Sequence, residues 1–171
     1  SEANKEYVPI NNMSSGVNTG YNNRNKDQYV ETIDLSYLMS SDKKIVTFVG
    51  TSKNGTSFLV NNLAEMLSSM GVNTAILDTT QNRNSYYIYT KNEENLRNIA
   101  THSIVDLANG TANGIPVNKN LTVYTSMPSE GEEIVNVDKI LETLLKKHSL
   151  ILIDTDFETP VGYFKKANET Y

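Results

Sequence analysis

The 171-residue chain contains no cysteine, which excludes a disulfide framework and a thiolate metal site and leaves the chain free to work in a reducing compartment. It has no strongly basic run, and its formal net charge of −5 gives no support to nucleic acid or an anionic lipid surface as a partner. No apolar stretch approaches the roughly 20 residues of a membrane-spanning helix, and the opening SEANKEYVPI lacks the apolar centre of a secretory signal. The expected location is the cytoplasm. The first residue is serine, so the sequence is expected to be a piece of a longer protein. Residues 11–28, NNMSSGVNTGYNNRNKDQ, offer almost nothing to bury, and ordering them would lose entropy for little return. Residues 1–42 are therefore expected to be a flexible tail or linker, and residues 43–171 a single folded unit.

What is present starts at Lys44. IVTFVG, residues 45–50, is a β-branched apolar run ending in glycine, the pattern of a buried strand. After it, Leu59, Leu63, Met66, Leu67 and Met70 recur at helical spacing, and Gly71 stands where a helix C-terminal cap belongs. NTAILD (73–78) is a second short strand, and the polar start of the next twenty residues suggests a surface excursion. Within it the alternation of Tyr86, Tyr87 and Tyr89 suits a half-buried strand. SIVDLANG (103–110) is a short helix with a glycine stop, and LTVYTS (121–126) a strand ending before Pro128. Ile134, Val137, Ile140, Leu141, Leu144 and Leu145 form an amphipathic stripe running into KKH, cations suited to a helix C-terminus. Glu130, Glu132 and Glu133 form an acidic lead into that helix. LILIDTD (150–156) closes the series as an apolar strand ending in carboxylates. Alternating strands and helices predict an α/β fold with a parallel sheet covered on both faces and ligands at the carboxyl ends of its strands.

The stretch GTSKNGTS, residues 50–57, carries the chemistry. In a phosphate-binding loop of the form G-x-x-x-x-G-K-S/T, backbone N–H groups and the helix N-terminus cradle phosphates, the lysine reaches the terminal phosphates and the hydroxyl holds magnesium. Gly50 and Gly55 keep the glycine spacing and Ser57 keeps the hydroxyl, but Thr56 replaces the lysine. The loop thus retains an anion-attracting backbone without the fixed cation that opposes the β and γ phosphates. Gly50, Thr51, Ser52, Lys53, Asn54, Gly55, Thr56 and Ser57 are the candidate phosphate-binding residues, with Lys53 able to supply a charge from another direction. The last apolar strand ends in Asp154, where a magnesium-supporting carboxylate is expected.

From residue 44 to residue 160 the series resembles, in order, the deviant Walker-A ATPases related to ParA and MinD. The resemblance implies a P-loop NTPase-like sandwich that is incomplete on its C-terminal side, since related domains continue with further strands and helices. It implies ATP or ADP and Mg2+ as ligands, with Ser57, Asp78 and Asp154 at the metal. The family's loop reads like GKGGxGKS/T, and its two lysines fall on Thr51 and Thr56. Its second motif carries two acidic residues, one apart; the first falls on Asp78, the second on Thr80, and a threonine hydroxyl cannot serve as a base. Asp156 stands where proline is usual. The loss of the loop lysine also resembles pilus-positioning relatives of the TadZ and CpaE type. The implied function is a nucleotide-binding or pseudo-ATPase module that positions or assembles machinery in pilus biogenesis, conjugation or partitioning, working with a protein partner or as a homodimer and touching membrane-associated machinery indirectly. Two other readings stay open: a slow ATPase using Lys53, and a structural interaction module with an empty loop. No catalytic residue is assigned. His102 and His148 fit no metal pattern and read as structural.

Overall fold

The computed structural model describes residues 32–50, 55–128 and 136–171. Within them the chain is an α/β fold built on a six-stranded, mostly parallel sheet. The elements are α1 (Leu35–Met39), β1 (Lys44–Val49), α2 (Thr56–Ser69), β2 (Thr74–Asp78), α3 (Asn84–Thr90), α4 (Glu94–Ala108), β3 (Ile115–Asn118), β4 (Leu121–Tyr124), α5 (Val137–Lys147), β5 (Leu150–Thr155), α6 (Val161–Lys166) and β6 (Glu169–Thr170). The strand order is β3-β4-β2-β5-β1-β6. All neighbours run parallel except β3 and β4, which pair antiparallel.

Because successive side chains of a strand point to opposite faces, the apolar runs feed two cores at once. Leu150 and Leu152 of β5, Val46 and Phe48 of β1 and Ile76 of β2 pack with Val60, Leu63 and Leu67 of α2 on one face. Ile151 and Ile153, with Ile45 and Leu77, meet Ile140, Leu141 and Leu144 of α5 and Leu107 of α4 on the other. A strand buried on both faces reads as continuous rather than alternating hydrophobicity, which is why 45–50 and 150–155 stand out in the sequence. Gly71 closes α2 at φ 95° and Gly110 follows α4 at φ 94°, a region L side chains avoid. His148 is buried, with one ring nitrogen 2.7 Å from the Tyr124 hydroxyl and the other 2.8 Å from Asn73 Oδ1.

Three expectations change. The segment expected as a surface excursion with a tyrosine strand forms α3 and the first turns of α4. Its tyrosines follow helical rather than strand periodicity, Tyr86 and Tyr89 turning inward and Tyr87 outward. The hairpin of β3 and β4 was not foreseen, since IPVN is four residues long and carries a proline, which a sheet tolerates at its edge. Third, α1 lies inside the stretch expected as linker, and Ile33, Leu35 and Leu38 join the core. Ile134 and the three glutamates at 130, 132 and 133 lie outside the described residues. Among those described, no helix is long and apolar enough to cross a membrane.

The docking of α1 has a measurable consequence. Leu38 is completely buried, so Leu38→Ala should lower the free energy of unfolding by about 2–4 kcal/mol. Urea denaturation of the full chain checks this; a loss below about 1 kcal/mol would mean that α1 is not held to the core.

Candidate phosphate and metal site

The site forms where the carboxyl ends of β1, β2 and β5 meet the N-terminus of α2. Gly50 follows β1 and is buried. A Cβ there would lie 1.8 Å from Thr56 Oγ1 and 2.5 Å from Thr56 Cβ, so the chain leaving β1 passes the start of α2 too closely for any side chain. Gly55 is the N-cap of α2 at φ 69° and makes no side-chain cap bond. The backbone donors of the first turn are therefore not capped from that position, and the positive end of a fourteen-residue helix faces the cleft. Thr51, Ser52, Lys53 and Asn54 lie outside the described residues.

Ser57 sits in that first turn and donates a 2.5 Å hydrogen bond to Asp154 Oδ2, while Asn84 Nδ2 donates to Ser57 Oγ at 3.1 Å. Asp154 is buried, and among the described residues its Oδ1 has no hydrogen-bond partner. Burial pushes its carboxyl up to about 7; the Ser57 bond opposes the rise and the charges of Asp78 and Asp156 add to it. An orphaned, buried carboxylate oxygen beside a hydroxyl is the donor set of a hard cation.

Asp78 stands directly opposite Asp154 in the β2–β5 register, but its carboxylate is engaged locally. Oδ1 accepts from the Thr80 backbone N–H at 2.9 Å and from its hydroxyl at 2.6 Å. Oδ2 accepts from the Ser85 N–H at 2.9 Å, in the first turn of α3. Asp78 thus holds the β2–α3 loop, and Arg83 braces it by donating to the Asp78 carbonyl at 2.6 Å. Asp156 does similar work on the next loop, its Oδ2 accepting from Gln81 N–H at 2.6 Å and its Oδ1 from Glu158 N–H at 2.8 Å. Thr79 ties the two loops by donating to the Asp154 carbonyl at 2.7 Å.

These groups surround a cleft of about 80 Å³ lined by Ser57, Thr80, Asn82, Asn84, Asp154 and Asp156, among others. No described lining residue is basic, and Thr80 spends its proton on Asp78. No group of three or more His, Cys, Asp or Glu side chains among the described residues is arranged to hold a metal ion. Among the described residues Ser57 and Asp154 are the pair that would hold a magnesium ion, which favours few protein ligands beside phosphate oxygens and water, while Asp78, expected beside them, is turned to its own loop. Gly55, Thr56, Ser57 and Asp154, singled out in the sequence, line one cleft, and the structure adds Asn84 and Asp156, which the sequence did not bring to it. Asn84 was hidden because its segment read as an excursion, and Asp156 because it was weighed only against a proline.

Comparison with protein-family models, curated protein sequences and solved structures gave no match to this chain.

Proposed function

We propose that the chain is a nucleotide-binding, pseudo-ATPase module of the ParA and MinD type, a cytoplasmic positioning or assembly factor for pilus, conjugation or partitioning machinery. The observation that carries the reading is the 2.5 Å bond from the Ser57 hydroxyl to Asp154 beside an unpartnered Asp154 oxygen, at the N-terminus of α2. In this reading the first-turn N–H groups of α2 hold phosphate oxygens. Asp154 accepts the Ser57 proton bond and so turns the hydroxyl's lone pair toward the cation. A bound magnesium would neutralise phosphate charge and fix the phosphate geometry. In this reading Asp154 is committed to the cation, Asp78 and Asp156 are occupied by backbone donors, and Thr56 stands at the lysine position, so the described residues offer no further base and no cation. Nucleotide is held and water is not activated.

Restoring the missing cation tests this. Thr56→Lys should tighten binding of a fluorescent ATP analogue with magnesium about tenfold and leave phosphate release at background. Unchanged affinity would argue against phosphates at this loop. Turnover in the native chain that Lys53→Ala abolishes would replace the reading with a slow ATPase.

A further inference from the structure

A second concavity, about 540 Å³, opens between α2 and α3. Its walls are the aromatic and aliphatic faces of Phe58, Tyr87 and Ile88, which are 64, 67 and 51 % exposed. Its one charged lining residue is acidic. Glu65 brings a carboxylate, already accepting from Tyr89 at 3.3 Å. The amide nitrogens of Asn62 and Asn84 each donate one hydrogen bond, to the Phe58 carbonyl and to Ser57 Oγ. None of the lining residues is Lys, Arg or His. Aromatic faces beside a carboxylate attract a planar cation.

We propose that this groove docks a segment of a partner protein through an arginine side chain, its guanidinium stacked on Tyr87 and Phe58 and donating to the Glu65 carboxylate. Arginine fits better than lysine because one planar fork can stack and donate at once. The exposed apolar rim suits side chains flanking that arginine, and the chain's net charge of −5 favours a basic partner. The docking needs no nucleotide. Ser57 and Asn84 line both the groove and the phosphate cleft, so the docked cation stands beside the site that has lost its own.

Nuclear magnetic resonance titration of the full chain, without nucleotide, tests the assignment. The probes are acetyl-Leu-Ala-Arg-Ala-Leu-amide, the same peptide with citrulline for arginine, and arginine amide. The arginine peptide should move the side-chain amide signals of Asn62 and Asn84, and the neutral citrulline peptide should bind about tenfold more weakly. Tyr87→Ala and Glu65→Gln, both at exposed positions, should each weaken the arginine peptide about fivefold. Equal affinity for the two peptides, no response at millimolar arginine peptide, or indifference to both variants would overturn the proposal. Arginine amide binding as tightly as the peptide would overturn the protein partner in favour of a small guanidinium ligand.

Discussion

Asp154→Asn should stabilise the protein above neutral pH and reverse the slope of its stability against acidity. The buried carboxyl titrates near 7 in the folded chain against 3.8 for an ordinary aspartate. Between those values the folded state keeps a proton that the unfolded state has released. Its stability contribution is therefore full below about 4 and lost as pH rises through 7. His148 acts in the opposite direction. Burial first, and the charge of Lys147 second, lower its ring to about 4 from 6.5, so that the unfolded chain binds the extra proton across that window. Its contribution is present above about 6.5 and lost as pH falls toward 4.

The two slopes oppose one another over most of the same range, and each variant exposes the one left behind. Asp154→Asn keeps the hydrogen-bonding shape toward Ser57 but carries no charge. At pH 8 it should unfold about 4–8 °C higher than the native chain, on the order of 2 kcal/mol for a domain of this size, with the advantage gone near pH 4. His148→Gln should leave the carboxyl's slope, so that its midpoint falls as pH rises from 4.5 to 7.5. Thermal melts of the three proteins across pH 4–8 make the comparison. Parallel curves would mean that Asp154 is not the buried, raised carboxyl described above.

Gly50→Ala should be damaging out of proportion to one methyl group. The added Cβ would fall 1.8 Å from Thr56 Oγ1 and 2.5 Å from Thr56 Cβ. The second atom is fixed to the backbone, so a rotamer change at Thr56 gives no relief and the start of α2 must move away from β1. We expect a loss of about 1–3 kcal/mol and loss of nucleotide binding. Thr56→Gly in the same chain removes both clashing atoms and should recover most of the stability, less about 1 kcal/mol for a glycine in the helix's first turn. Urea melts of the two proteins separate the outcomes. A single variant as stable as the native chain would mean that the loop and helix do not approach as closely as described.

The parts of the fold legible in the sequence were those whose side chains see two cores. β1, β2 and β5 are buried on both faces, so nearly every residue had to be apolar and the runs announced themselves. α2 and α5 were legible for the complementary reason, a single apolar stripe at helical spacing, with Gly71 or the cations Lys146 and Lys147 marking the stop. α3 was not, because three tyrosines in four positions fit a short strand as well as two turns of helix. What decides for a helix is a contact from outside the segment, Asp78 Oδ2 on the Ser85 N–H, and no local pattern carries it. β3 was obscured by Pro116 and its short length.

The site was legible in its backbone and not in its electrostatics. Glycines at 50 and 55 are where the chain needs a close approach and a positive φ. Sequence spacing also paired Ser57 with Asp154 across 97 residues. It did not separate the two aspartates, which stand at matching strand ends. One accepts three local hydrogen bonds and builds a loop, and the other keeps an oxygen unpaired. That difference arises from tertiary burial.

The central proposal is a cleft that holds a nucleotide without turning it over. The direct measurement is a calorimetric titration of the full chain with ATP and magnesium, with phosphate release followed on the same samples. We expect saturable one-to-one binding that weakens at least about tenfold when magnesium is chelated or in Ser57→Ala, and phosphate release no faster than in buffer. No heat at millimolar magnesium-ATP, or binding that ignores both magnesium and Ser57, would contradict it.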